Sequence, residues 1–167
     1  YPAGSTMGQV EATYRFGFYG IANTESLKQI YSKQYDGLAE HFDPALDHEV
    51  FYPPTIDITN ETITIFSYGR PDHPRNGFEI SMNVFKKLKE KYGNKIRIIS
   101  AGAIWNPKDI GLEGVIENWG ILNYIDTGEI FRKSDIGVVM MYTKHPSYIP
   151  LELMACKCLV VSNYNPA

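Results

Sequence analysis

Short apolar runs bounded by glycine, proline or asparagine recur along the chain and predict five buried strands. The runs are rich in β-branched and aromatic residues, which is typical of parallel strands that are covered on both faces. We place these strands at residues 15–21, 61–68, 95–100, 135–141 and 158–162.

Helical periodicity separates most of these strands. Across residues 77–92, apolar side chains recur every three or four positions and form one stripe, while lysines occupy the other face. We interpret the lysine run as a solvated helix face, not a phosphate site. Shorter helices are predicted at residues 26–34, with Thr24 or Ser26 as N-cap, at 127–133, and from 147 or 150 to 155. From residue 61 onward, this alternation predicts an α/β domain with a doubly wound, Rossmann-like parallel sheet.

The chain divides into three regions by pattern. Residues 47–60 contain Pro53-Pro54 and no periodicity, so we predict a linker there. Residues 1–46 carry a different set of elements and are expected to be the tail of an N-terminal domain. Residues 61–167 carry the doubly wound sheet. Because the chain starts without Met and stops just after a strand-like run, we expect a fragment truncated at both ends.

Composition narrows the function classes. The 167 residues include 16 Lys and Arg against 19 Asp and Glu, a net charge of −3, which does not favour nucleic-acid binding. No apolar run approaches the ~18 residues of a membrane span, and no signal peptide is recognisable. Cys156 and Cys158 are too close in sequence to favour a mutual disulfide, so we interpret them as small buried residues. We expect a reduced, cytoplasmic protein without a metal site.

The loop after the second predicted strand has the chemistry of an anion site. It is GRPDHPRNG at residues 69–77, and it leads directly into the predicted helix over 77–92. Ligands of open parallel sheets bind beyond the carboxyl ends of the strands, and helix N-termini attract anions. Arg70 and Arg75 add bidentate donors for phosphate oxygens. The loop therefore predicts a phosphate or diphosphate cradle, although its arginines could equally pair with surface carboxylates.

A second informative loop, YTKHPSYIPLE at residues 142–152, follows the fourth predicted strand. Glu152 falls in the first turn of the next helix. There it can complement the helix dipole, or it can accept hydrogen bonds from ribose hydroxyls. The residues alone leave both roles open.

Four segments together resemble a known family. YGRPDHPRNGF, VIENWG, TGEIFRKSDIGVVMM and HPSYIPLELMACKCLVVSN occur in this order. They resemble the nucleotide-sugar-binding, C-terminal half of a family 4 glycosyltransferase with the GT-B fold. The pattern is most similar to the bacterial retaining rhamnosyltransferase branch of the WsaF type.

The resemblance implies roles for the first loop. Arg70 matches the arginine that contacts the donor diphosphate. The family's Lys-Gly pair appears here as Asn76-Gly77, and we expect Arg75 to supply the missing lysine charge. Gly120 matches the loop that packs against the nucleobase; beside it, Trp119 is either a packing residue or a platform for stacking the base.

For the second loop, the resemblance implies that Glu152 holds the ribose. Lys144 stands where most of the family has a glutamate that binds sugar hydroxyls. We therefore expect Lys144, His145, Ser147 and Tyr148 to contact the donor sugar or its diphosphate. Losing an acceptor at Lys144 favours a deoxy sugar such as rhamnose.

The resemblance thus implies transfer of a sugar, with retention and without a metal or other cofactor, from a nucleotide donor, most simply dTDP-rhamnose. The acceptor is expected to be a cell-surface glycan bound by an N-terminal domain, with peripheral membrane association of the full enzyme. No catalytic residue can be named, and the isolated chain is expected to be inactive. Two alternatives stay open: a non-catalytic interaction domain of a polysaccharide assembly complex, and a sugar-nucleotide epimerase-type domain.

Overall fold

A computed structural model describes residues 6–55, 61–142 and 147–164. The chain forms two compact units. Of the described residues, 6–45 belong to the first unit, and the remainder belong to the second.

The first unit is a small β-α-β arrangement preceded by a helix. Its elements are α1 (Met7–Tyr14), β1 (Gly20–Ala22), α2 (Glu25–Tyr35) and β2 (Ala39–His41), with β1 and β2 parallel. The Thr24 hydroxyl caps α2 by accepting a hydrogen bond from the Leu27 N–H at 3.2 Å. The predicted strand over 15–21 is thus shorter and later than expected, and neither α1 nor β2 was predicted.

Large apolar side chains remain exposed in the first unit. Phe16, Phe18 and Ile21 are 64%, 71% and 78% exposed. They line an open cleft of about 1080 Å³. Contiguous apolar surface of this kind is typical of a contact surface. Among the described residues, no helix combines the length and the apolar character needed to cross a membrane.

The second unit is built around a five-stranded sheet in which all neighbouring strands are parallel. Its strands are β3 (Ile63–Tyr68), β4 (Ile96–Ala101), β5 (Glu117–Asn118), β6 (Ile136–Val138) and β7 (Leu159–Val161), in the order β5-β4-β3-β6-β7. Its helices are α3 (Phe78–Tyr92), α4 (Tyr124–Arg132) and α5 (Ile149–Ala155).

Successive residues of β3 point to opposite faces, and each face has its own core. Ile65 packs in the cluster that contains Met82 and Phe85 of α3. Phe66 packs in the cluster that contains residues of α4 and α5. Helices therefore cover both faces of the sheet, which confirms the predicted α/β fold with a doubly wound parallel sheet.

Local hydrogen bonds explain where the elements differ from the sequence predictions. The α4 helix starts at Tyr124 because the Asn123 side chain caps it, accepting from the Asp126 N–H at 2.8 Å. Asp135, predicted as strand, instead accepts from the Thr64 N–H at 2.7 Å through its carboxylate. The two-residue strand β5 was not predicted, since so short a run carries no periodicity.

The described part of the predicted linker, residues 47–55, packs into the core of the second unit. Phe51 is fully buried, with its ring centroid 5.8 Å from that of Phe131 and 5.3 Å from that of Tyr124. The Val50 carbonyl accepts a hydrogen bond from the Arg132 guanidinium. This segment is therefore fixed to α4 by apolar and polar contacts.

Cys156 and Cys158 are free thiols and both are buried. The Cys158 thiol donates to the carbonyls of Phe131 and Ser134 at 2.9 and 3.0 Å. Burial raises the pKa of Cys158 to about 12. The thiolate is thus disfavoured, as expected for a structural cysteine.

Phe51→Ala should destabilise the second unit by about 3–5 kcal/mol, because it leaves a cavity at a fully buried aromatic position. Pro53→Ala, an exposed change in the same segment, should cost less than about 1 kcal/mol. Urea unfolding can be followed by tryptophan fluorescence, because the chain's two tryptophans, Trp105 and Trp119, both lie in this unit. Equal, small losses in both variants would show that the segment is only a surface connection.

Candidate functional site

The candidate site lies at the carboxyl ends of β3 and β6, because the connections that follow these adjacent strands run to opposite faces of the sheet. β3 pairs with β6, with Ile65 opposite Ile136 and Ser67 opposite Val138. From β3 the chain passes to α3 on one face, and from β6 it passes to α5 on the other. Ligands of doubly wound sheets bind in the crevice at such a switch point. Both loops singled out in the sequence start there.

The first loop leads to a helix end with no side-chain cap. The loop includes a 3₁₀ turn at Pro74–Asn76 and ends at Gly77, which is the N-cap of α3. Glycine offers no side chain to bond the first N–H groups of the helix, so the positive end of the dipole faces the loop. This arrangement suits an anion.

Two glycines allow the loop to pass close to its neighbours. A Cβ on Gly69 would lie 2.1 Å from the buried Ser100 hydroxyl. Gly77 has φ +58°, and a Cβ there would lie 3.0 Å from the Tyr142 ring. A side chain at Gly69 would push the loop away from β4, and a side chain at Gly77 would displace the Tyr142 ring.

The two arginines of this loop form no ion pair with any carboxylate in the described ranges, where the ion pairs involve other residues. Arg70 is half-buried and donates to the Tyr68 hydroxyl at 3.2 Å, with its guanidinium 5.9 Å from the Tyr68 ring centroid. Arg75 is exposed. The alternative in which these arginines pair with surface carboxylates therefore has no support in the described part of the chain.

Asn76 lies between Arg75 and the start of α3 and is only 4% exposed. Its side-chain oxygen is buried and has no hydrogen-bond partner among the described residues. A buried acceptor without a donor is costly, so it commonly marks a place where a further group binds.

The second loop is described in part. Lys144 and His145 lie outside the described residues. The Ser147 hydroxyl accepts from the Ile149 N–H at a long 3.4 Å, and partly buried Tyr148 immediately precedes α5. Ser147 and Tyr148 therefore lie at the start of α5, on the β6 side of the switch point.

Glu152 in α5 is a partly buried carboxylate with no hydrogen bond or ion pair to its side chain in the described parts. Burial raises its pKa above the usual range. A carboxylate that only complements the helix dipole can remain in water. Glu152 is instead partly desolvated, which costs free energy, and hydroxyl donors of a ligand would lower that cost.

Gly120 ties together the loops that follow β4 and β5. It has φ +70°, and its carbonyl accepts from the Gly102 N–H at 2.8 Å. Neighbouring Trp119 is 42% exposed, and the Arg97 guanidinium lies 5.6 Å from the centroid of its ring. Trp119 therefore lies outside both apolar core clusters, and its role toward a nucleobase stays a prediction.

The structure also brings Tyr142 and Asn163 to this site, although sequence reasoning assigned neither. The Tyr142 N–H donates to the Arg75 carbonyl at 2.8 Å. Asn163 hydrogen-bonds both main-chain groups of Met141. No periodicity or motif announces these contacts, because they join residues that are far apart in sequence.

Comparison with known proteins identifies the family. Residues 63–167 match the family model described as "WsaF, C-terminal domain". The chain belongs to this family. It is also 39% identical over 164 residues to the O-antigen biosynthesis protein RfbC of Myxococcus xanthus, an alignment that covers 98% of this chain. The chain spans only 13% of that relative's length.

Solved structures share the fold at low identity. WaaG, described as a glycosyltransferase involved in lipopolysaccharide biosynthesis, matches with a TM-score of 0.72 at 14% identity, over 94% of this chain and 49% of that one. TarM matches with a TM-score of 0.73 at 14% identity, over 97% and 33%. Sucrose-phosphate synthase from Thermosynechococcus elongatus matches at 0.70 and 12%, over 93% and 43%. These likenesses confirm the Rossmann-like, GT-B type of fold.

Glu152→Gln should raise the free energy of unfolding at pH 7, because it removes a desolvated charge. Since the pKa of Glu152 is raised, the folded state binds more protons than the unfolded state in the pH window just above the ordinary glutamate pKa. As pH rises through that window, the free energy of unfolding of the wild type should therefore fall relative to that of Glu152→Gln. Urea unfolding between pH 4 and pH 7 measures this.

Glu79→Gln is the matched control, because Glu79 is an exposed acid in the first turn of α3. It should lose about 0.3–1 kcal/mol at pH 7 through the weaker dipole interaction. A similar loss in Glu152→Gln would leave Glu152 with a dipole role only.

Proposed function

We propose that this chain is the nucleotide-sugar-binding part of a glycosyltransferase that builds O-antigen or a related cell-surface polysaccharide. The family, the name of the Myxococcus relative and the names of the structural neighbours support this proposal. The observation that carries it comes from the loop after β3. Arg70 and Arg75 lie in the loop that leads to the N-terminus of α3, which has no side-chain cap, and neither arginine pairs with a carboxylate among the described residues.

The proposed chemistry is stabilisation of the leaving group. When the bond between the sugar's anomeric carbon and the diphosphate oxygen breaks, the electron pair stays on the diphosphate. Arg70, Arg75 and the N–H groups of α3 are fixed positive charges and dipoles that can meet this growing charge. A metal ion is not required in this scheme, and we propose a retaining mechanism of the family 4 type.

The nucleoside is proposed to lie across the carboxyl ends of the neighbouring strands. Glu152 would accept hydrogen bonds from the ribose hydroxyls, which would relieve its desolvation. Gly120 would pack against the base, since its carbonyl bond to the Gly102 N–H holds the loop after β5 beside the loop after β4.

The donor is proposed to be a nucleotide-activated deoxyhexose, with dTDP-rhamnose first. This rests on Lys144, a donor-only group where most of the resembling family has an acceptor for sugar hydroxyls. The acceptor glycan would be bound by an N-terminal domain, in a cytoplasmic enzyme that associates peripherally with the membrane.

Arg70→Ala should weaken binding of dTDP or UDP by about 2 kcal/mol, roughly 30-fold, because a charge-assisted contact is lost. Glu152→Gln should also weaken binding of these nucleotides, although this variant should fold at least as stably as the wild type. Lys86→Ala, which removes an equal charge from the exposed face of α3, is the control and should bind like wild type. Isothermal titration calorimetry measures these affinities. Unchanged affinity in folded Arg70→Ala would contradict the assignment of Arg70 to the diphosphate.

Turnover of the full-length protein should be fastest with dTDP-rhamnose in a panel that includes UDP-glucose, UDP-galactose, GDP-mannose and UDP-N-acetylglucosamine. Turnover with UDP-glucose and none with dTDP-rhamnose would refute the rhamnosyl assignment and leave the glycosyltransferase proposal standing. Failure with every donor, together with no thermal shift on adding nucleoside diphosphate, would favour a non-catalytic interaction domain.

A further inference from the structure

The chain just beyond β6 is held in place by the segment beyond β7. The Val139 N–H donates to the Val161 carbonyl at 3.0 Å. Two residues later, the Asn163 side chain replaces a strand partner: its oxygen accepts from the Met141 N–H at 2.7 Å, and its amide nitrogen donates to the Met141 carbonyl at 2.9 Å. Both main-chain groups of Met141 are thus satisfied by a single side chain.

The next residue, Tyr142, crosses to the first loop. Its N–H donates to the Arg75 carbonyl at 2.8 Å. Its ring lies across Gly77, with Cε2 and the hydroxyl oxygen 3.0 and 3.1 Å from the point that a Cβ on Gly77 would occupy. The side chain is nevertheless 49% exposed, so it contributes little to the core.

We propose that Tyr142 and Asn163 are positioning residues for diphosphate binding, and this rests on the function proposed above. Asn163 fixes Met141, Met141 fixes Tyr142, and Tyr142 holds the turn that presents Arg75 and the start of α3. The Tyr142 ring covers Gly77 and keeps that glycine in its left-handed conformation.

The physical reason is preorganisation. The Arg75 side chain is exposed and forms no ion pair with a described carboxylate, so its main chain is what limits its freedom. A loop that must be ordered at the moment of binding loses affinity, whereas a loop already held in place does not. A half-exposed tyrosine tied to the main chain of this loop supplies such a constraint.

Affinity for dTDP and UDP, measured by calorimetry on the full-length protein, tests the proposal. Tyr142→Ala and Asn163→Ala should each weaken binding about tenfold, as expected when about 1.4 kcal/mol of preorganisation is lost. Tyr142→Phe should bind like wild type, because the ring and the main-chain bond remain. Tyr92→Ala is the matched control: Tyr92 is 42% exposed, lies at the opposite end of α3, and its loss should leave affinity unchanged.

A double-mutant cycle separates positioning from general destabilisation. If Tyr142 acts partly through Arg75, the Arg75→Ala, Tyr142→Ala double variant should lose less affinity than the product of the two single losses. Losses that multiply in the double variant would overturn the proposal, and so would an equal loss in Tyr142→Phe and Tyr142→Ala.

The outcomes also distinguish the two proposals. Wild-type affinity in both Tyr142→Ala and Asn163→Ala, with weak binding by Arg70→Ala, would overturn the positioning role alone. If the full-length wild-type protein binds no nucleoside diphosphate at all, both proposals fall. Should Tyr142→Ala not fold, Tyr142→Leu and Asn163→Ala provide the same comparison.

Discussion

The parallel pairing of β3 with β6 is the constraint on which the candidate site depends. β3 is the central strand and is covered on both faces, so the chain that leaves it must turn toward one layer of helices. The chain that leaves β6 turns toward the other layer. Ligands of doubly wound sheets bind where loops diverge from adjacent strand ends, and Arg70 and Glu152 follow these two strand ends in the chain. The topology alone therefore makes this edge of the sheet the candidate site.

Much of the second unit follows from local pattern. The β-branched run of β3 and the apolar stripe of α3 were predictable, because burial on both faces leaves a continuous apolar run and burial on one helix face leaves a 3.6-residue period. The short elements β2 and β5 were not, since they form through pairing with a neighbour and contain too few residues to show alternation. The packing of Phe51 could not be predicted from the sequence either. Pro53-Pro54 nearby indicates a loop but carries no information about what that loop contacts.

The residues of the candidate site also differ in whether the sequence could place them. Arg70, Arg75 and Gly77 could be placed because a strand, a glycine-containing loop and a helix follow one another in the sequence. The bonds of Asn163 to Met141 and of Tyr142 to Arg75 could not, because they join residues that are 22 and 67 positions apart. Sequence thus indicates which loop carries charge, whereas the fold determines how firmly that loop is held.

The distribution of ion pairs gives the site its chemical character. Elsewhere in the described residues, Arg97 pairs with Glu117 of the neighbouring strand, and Lys133 pairs with Glu129 one turn earlier in α4. At the switch point, Arg70 lacks such a match on one side, and Glu152 is desolvated on the other. A single ligand that contacted both residues would offer anionic oxygens to Arg70 and hydroxyl donors to Glu152. The proposed nucleoside diphosphate has its groups in this order, with ribose hydroxyls next to the phosphates, whereas inorganic phosphate lacks the ribose hydroxyls.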